Sequence, residues 1–209
     1  MTEKQRAEQI TLALKEAYPG AVCSLNYQTP YELLIATRLS AQCTDARVNQ
    51  ITPALFRAFP DPQALGAASP EEIEPYIRSC GLYHSKAKDL AGIGKMLTER
   101  YGGQVPDTLE ELVRLPGVGR KTANLVCGDI FGKPAVVTDT HFLRICNRLG
   151  LIDTKDPLKA ETAMRGLLDP AESNDFCHRT VLHGRAVCTA RSPKCDRCCL
   201  LKFCPRKGV

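Results

Sequence analysis

Residues 115–124 read LPGVGRKTAN and set a lysine, Lys121, just beyond two glycines where an apolar-periodic run begins. A lysine amine is a nucleophile only when neutral, and an ordinary one, with pKa about 10.4, is almost wholly protonated near pH 7. The positive end of a helix also opposes a cation, so Arg120 and Lys121 run against the usual charge preference of a helix start. Two other groups carry chemistry. Asp139 sits in VTDTH, residues 137–141, ahead of a helical pattern where an aspartate serves either as an N-cap or as a carboxylate in a site. Five cysteines fall between Cys188 and Cys204 in a chain of eleven cysteines without a secretory signal, which favours metal binding over a disulfide ladder.

The elements that must position these groups read as helices. Apolar periodicity predicts them over 3–17, 30–41, 45–58, 70–78, 85–101, 107–114, 119–131, 139–149, 157–168 and 175–188, with proline and glycine in nearly every gap. Only AVV at 135–137 looks extended, too short to found a sheet, so the fold is read as all-α. Leu109, Leu112, Val113 and Leu115 form one apolar side before the Pro-Gly-Val-Gly turn, and Ala123, Val126, Cys127 and Ile130 another after it. Gly117 and Gly119 permit backbone angles closed to other residues and close approach by a partner, while amides of the next helix start can hold a phosphate. This is a helix-hairpin-helix pattern, about 108–131, suited to gripping a DNA backbone without reading its sequence. A phosphate-binding P-loop is rejected, because Arg120 and Leu115 stand where that motif needs glycine and a helix precedes instead of a strand. A purely structural helix-turn-helix stays open at this point.

Composition narrows the class. The 209 residues are 44% hydrophobic, enough for one large or two modest cores, with no apolar run approaching a membrane span and no signal-peptide layout at the N-terminus. A cytosolic protein is expected. Net charge is +5, but residues 178–209 alone carry +7 and the remainder −2. A basic end on a near-neutral body suits nucleic acid, or compensation of a bound anionic group.

Taken together, LPGVGRKTAN, VTDTH, the C-terminal cysteines, SAQCTD at 40–45 and GLYHSKA at 81–87 resemble the bacterial endonuclease III family, the iron-sulfur branch of the helix-hairpin-helix DNA glycosylases. The motifs stand in the family's order and spacing across nearly the whole chain. The resemblance implies two α-helical domains with a DNA-binding cleft between them: a six-helix domain over 22–133, and a second made of 1–21 plus 134–209. It implies a monomeric bifunctional enzyme that excises oxidised pyrimidines from double-stranded DNA and cleaves the strand at the abasic site, working in the bacterial cytoplasm on the nucleoid, without a membrane.

It also implies roles residue by residue. Lys121 becomes the nucleophile at sugar C1′, forming a Schiff base that acts as an electron sink for β-elimination. Desolvation under bound DNA and the helix end then favour the neutral amine. Asp139 stabilises charge developing on the sugar and moves protons, while one oxygen still caps the helix. Gln42 and Leu82 match the side chains that wedge into the base stack. Asp45, which reads most simply as an N-cap, is placed near the lesion pocket. His141 lines the cleft or satisfies a local hydrogen bond, and Gly117, Gly119 and Arg120 contact the backbone. Cys188, Cys195, Cys198 and Cys204 form C-x6-C-x2-C-x5-C, whose spacing alone leaves zinc and a 4Fe-4S cluster open; the family uses it for the cluster. Cys199 falls outside it. Arg191, Lys194 and Arg197 are candidates for DNA phosphates. The departures are Cys43, an oxidisable thiol at the pocket edge, and His84 beside the wedge. Two rival readings remain: a monofunctional adenine-mismatch glycosylase, a branch that usually lacks the lysine and carries an extra C-terminal domain, and a non-catalytic DNA-binding module.

Overall fold

The computed structural model describes residues 1–209 and contains eleven α-helices and no strand. They are α1 Glu3–Ala17, α2 Pro30–Ser40, α3 Asp45–Ala58, α4 Pro62–Ala67, α5 Pro70–Ile77, α6 Tyr83–Tyr101, α7 Leu109–Leu112, α8 Arg120–Phe131, α9 Thr140–Arg148, α10 Pro157–Leu167 and α11 Ser173–Ala186. No helix is long and apolar enough to cross a membrane. The starts follow their local sequence. Side chains of Thr2, Thr29, Thr44, Asp61, Thr108, Asp139 and Asp156 each accept a backbone N–H of the following first turn, and prolines stand in the first turns of α2, α4, α5 and α10.

Three expectations are corrected, and a fourth, that AVV at 135–137 founds no sheet, holds. The cap of α3 is Thr44, whose hydroxyl accepts Arg47 N at 3.3 Å, and Asp45 is the first helical residue instead. Helix α7 is a single turn, because Val113 and Arg114 already belong to the hairpin turn. Helix α4 was not expected, since six residues are too few to display a period. The AVV segment pairs with no strand: Ala135 N donates to Ser173 Oγ at 3.1 Å and Val137 N to Cys177 Sγ at 3.2 Å, so side chains of α11 satisfy its backbone.

The chain divides into two compact units, Ser24–Phe131 and Met1–Cys23 with Gly132–Val209. In the first, α6 is the central helix, packed by α2, α4 and α5 around buried Leu33, Leu39, Leu55, Leu65, Ile73, Leu90 and Leu97. Helix α4 meets α6 backbone to backbone: a Cβ on Gly94 would lie 2.4 Å from Gly66 N, and one on Gly66 only 2.5 Å from Lys95 N. That contact explains how so short a helix persists. In the second unit, α1, α9, α10 and α11 enclose Ile10, Leu14, Phe142, Ile145, Met164 and Phe176, with the Phe142 and Phe176 rings edge to face at 6.0 Å.

These glycine environments predict opposite outcomes for one substitution type. Gly94→Ala should lower stability by about 2–3 kcal/mol, since backbone cannot yield as a side chain does. Gly166→Ala, near the end of α10 with no atom within 4 Å of its Cβ position, should raise it by up to about 1 kcal/mol. Thermal or denaturant unfolding of both variants checks this; equal effects of one sign would contradict the packing described.

Candidate active site and cysteine centre

In the Ser24–Phe131 unit the hairpin turn is seated on α6 and α2 by two glycines. Gly117 has φ +67°, and a Cβ there would fall 2.2 Å from Arg38 Nε and 2.4 Å from Asp89 Oδ2. The Arg38–Asp89 ion pair joins α2 to α6 under the turn, with Arg38 Nε donating to Asp89 Oδ2 at 2.9 Å. Gly92 of α6 makes room for the Pro116 ring, which a Cβ would approach to 2.9 Å. Gly119 differs from expectation: its φ is not left-handed and nothing lies within 4 Å of its Cβ position, so its small size leaves open space rather than relieving strain. Helix α8 then opens with Arg120 and Lys121, both exposed, and no carboxylate in its first turn. Lys121 engages no ion pair. The first-turn amides of a helix have no intrahelical partner and point outward beside it.

The same unit carries Gln42 and Leu82 in neighbouring loops. They are two of the three non-glycine residues with positive φ, at 54° and 59°, a backbone state that costs of order 1 kcal/mol. Both are exposed, and Leu82, 60% accessible, is an apolar side chain held out in solvent. The loops touch: a Cβ on Gly81 would sit 3.5 Å from the Gln42 carbonyl oxygen. A group that sequence reasoning missed ties them from below. Lys86, in the first turns of α6, is fully buried and donates from Nζ to Leu39 O at 2.9 Å near the end of α2. Burial pushes its pKa down. Asp45, half-buried, accepts Ser24 Oγ at 2.6 Å, and His84 pairs with Glu74 at 2.5 Å while stacking on Tyr83.

In the other unit, Asp139 caps α9: Oδ1 accepts Phe142 N at 2.7 Å, and the carboxylate is half-buried. His141 Nδ1 lies 3.1 Å from Arg144 Nη2. Burial lowers the His141 pKa and Arg144 and Arg185 lower it further, against the opposing pull of Asp139, so the ring is neutral at pH 7. Gly184 of α11 admits this pair, since a Cβ there would meet His141 Nδ1 at 2.6 Å.

The cysteine segment hangs on α9. Arg144 donates to Cys188 O at 2.9 and 3.1 Å, and buried Arg148, one turn later, donates to Cys188 Sγ at 3.3 Å, Thr189 O at 2.7 Å and Ala190 O at 2.9 Å. From α1, Arg6 donates to the carbonyls of Leu149, Gly150 and Phe203 at 2.7, 2.9 and 3.0 Å. Cys188, Cys195, Cys198 and Cys204 line one small cavity of about 20 Å³, with Cys199 outside it. No three of its ligand-type side chains converge closely enough for a single ion. Nitrogen donors face the sulfurs: Arg148 at Cys188, Arg206 N at Cys204 (3.4 Å) and His183 Nε2 at Cys198 (3.4 Å). Burial lowers the His183 pKa to about 4, so the ring is neutral. The Tyr18 hydroxyl lies 3.0 Å from Nδ1, and where it donates there, Nε2–H is free to donate to sulfur. Burial pushes the Cys198 thiol up to about 11, so holding it as a thiolate calls for a compensating cation.

Of the eight basic residues over 178–209, Arg179 is buried between Glu172 and Asp175, and the other seven are exposed. Arg6, Tyr18, Lys86, Arg144, Arg148 and His183 were not singled out from the sequence. Only the one-turn spacing of Arg144 and Arg148 hinted at a shared face, and their acceptors are distant in the chain.

The chain is 49% identical over 205 residues to a protein of Synechocystis sp. named endonuclease III, a span of 98% of this chain and 94% of that one. Two solved structures superpose with TM-score 0.92 at 42% identity, covering 99% of this chain and 97% of theirs: a non-covalent endonuclease III–DNA complex and a trapped endonuclease III–DNA covalent intermediate with an estranged adenine. Residues 35–170, from inside α2 to just past α10, match the family pattern that spans the hairpin and Asp139 alike. With its hairpin, its capped aspartate and these relatives in agreement, the chain belongs to the HhH-GPD superfamily of base excision DNA repair proteins.

Proposed function

We propose that this protein is a DNA glycosylase that removes oxidised pyrimidines from double-stranded DNA and cleaves the abasic strand through Lys121. The observation that carries the reading is an exposed lysine without an ion pair in the first turn of α8, directly after the hairpin. Relatives that share the whole fold include one trapped covalently on DNA.

The steps follow from the residues. Amides and Arg120 at the start of α8 hold a phosphate, and Gly119 leaves the space for its approach. Gln42 and Leu82 enter the stack, and their positive-φ backbones present them outward; base extrusion costs a few kcal/mol that such contacts offset. The Lys121 amine attacks C1′, the C1′–N bond breaks and the base leaves with a proton. Ring opening yields the imine, loss of a C2′ proton expels the 3′ phosphate, and water then frees the lysine. Asp139 receives and returns protons through the oxygen not engaged in the cap. Asp45 is read as a contact to the lesion, and the protein acts as a monomer in the bacterial cytoplasm.

The four-cysteine cavity is read as the seat of one 4Fe-4S cluster, held by Cys188, Cys195, Cys198 and Cys204. The cluster would supply a covalent tie within the basic loop; the lyase steps run without it. The N–H donors on three of the sulfurs suit thiolate ligands.

Two outcomes follow. On duplexes carrying one oxidised pyrimidine, Lys121→Gln should bind the lesion yet lose strand cleavage by at least about 10³-fold. Asp139→Asn, which keeps a cap oxygen for Phe142 N, should fold normally and lose about 10²–10³-fold in rate. Full cleavage by Lys121→Gln, or no cleavage by the unaltered protein, contradicts the reading. Elemental analysis of the purified protein should give about four iron and four sulfide per chain. Cys199→Ser should leave that content unchanged, and Cys198→Ser should lose it; stoichiometric zinc in place of iron contradicts the assignment.

A further inference from the structure

Directly behind Gln42 and Leu82 lies a pair of thiols that the lyase chemistry does not use. Cys43 Sγ and Cys80 Sγ are 3.5 Å apart, both free. A disulfide bond is about 2.05 Å long, so closure asks for about 1.5 Å of sulfur movement, within reach of small side-chain rotations. The chains that carry the pair are already in contact, since the Cβ position of Gly81 lies 3.5 Å from Gln42 O. Cys43 is half-buried and open to a small oxidant, whereas Cys80 is 1% exposed and meets Cys43 from inside. Two cations act on the pair: buried Lys86, which ties α6 to the end of α2, and Arg47 of α3, both drawing Cys80 toward its thiolate. Burial and the contact with Cys43, whose thiol donates to Cys80 Sγ, outweigh them and push Cys80 up to about 11.

We propose that Cys43 and Cys80 form a peroxide-driven disulfide that locks together the two loops bearing Gln42 and Leu82 and weakens engagement of lesion DNA. The consequence for DNA rests on the reading of those two residues as the side chains that enter the stack. The Cys43 thiolate attacks one peroxide oxygen, the O–O bond breaks, and hydroxide leaves to be protonated to water, giving a sulfenic acid at Cys43. Cys80 sulfur then attacks Cys43 sulfur, the S–O bond breaks, and the hydroxyl departs with the Cys80 proton as a second water. Two thiols lose two electrons and hydrogen peroxide gains them. The resulting bond sits one residue from Gln42 and two from Leu82, both in left-handed backbone, so neither loop can then shift alone.

The test treats the intact metal-loaded protein with hydrogen peroxide, blocks remaining thiols, and maps peptides without reduction. A Cys43–Cys80 linked peptide is expected. Binding to a lesion-bearing duplex should weaken at least about tenfold, because base extrusion costs a few kcal/mol that a locked wedge no longer offsets. A thiol reductant should restore it. Cys43→Ala, and independently Cys80→Ala, should bind equally well before and after peroxide, which separates this effect from oxidation elsewhere. Absence of the linked peptide overturns the disulfide, and linked protein that binds as tightly as reduced protein overturns the lock. Should reduced, unaltered protein fail to bind lesion DNA at all, the reading of Gln42 and Leu82 falls and the DNA effect with it, while the peptide map still decides the disulfide.

Discussion

The hairpin holds its position because position 117 has no side chain. Any Cβ there would strike the Arg38–Asp89 ion pair, and the left-handed φ would add strain. With glycine in place, the turn lies on α2 and α6, Pro116 fits against Gly92, and α8 must begin where it does, with Lys121 exposed in its first turn. The chemistry proposed for that amine therefore depends on a half-buried ion pair and two missing methyl groups. The same two helices present the loops of the proposed wedge residues: Gln42 follows α2, Leu82 precedes α6, and Lys86 joins one to the carbonyl end of the other. The residues proposed as phosphate grip, nucleophile and wedge are thus built on one pair of helices, which suits an enzyme that must hold a flipped nucleotide to fractions of an ångström.

The second unit repeats the logic with arginines instead of glycines. Helix α9 begins at the Asp139 cap, and along it Arg144 and Arg148 gather the carbonyls of Cys188, Thr189 and Ala190. Arg6 of α1 ties the end of α9 to this segment through Leu149 O, Gly150 O and Phe203 O, and Tyr18, just past α1, reaches it through His183. The cysteine loop and the aspartate accordingly share one helix, α9.

Much of this was legible in the sequence because the cues are local. Helical periods, threonine and aspartate caps and first-turn prolines announce α1, α2, α3 and α10 almost to the residue. Where two capping residues adjoin, as Thr44 and Asp45 do, residue type cannot rank them, and the hydroxyl holds the cap. Helix α4 escaped notice because its stability resides in a contact between Gly66 and Gly94, far apart in sequence. Of the candidate site, Lys121, Asp139 and the four cysteines rested on motif and resemblance, and local geometry accommodates each. The left-handed backbones of Gln42 and Leu82 left no trace, since neither residue type favours that state. Nor did Lys86, His183 and Arg148, whose acceptors become neighbours only after folding. Side chains that do the holding were hidden, whereas those proposed to react were not.

The central claim is that the amine entering the sugar belongs to Lys121. Borohydride reduction of the protein on abasic-site duplex, followed by digestion and tandem mass spectrometry of the cross-linked peptide, locates that amine directly. A reduced adduct confined to Lys121 is expected; an adduct on Lys133 or the N-terminal amine, or cleavage of the strand with no trapped species, is incompatible with Lys121 as the nucleophile.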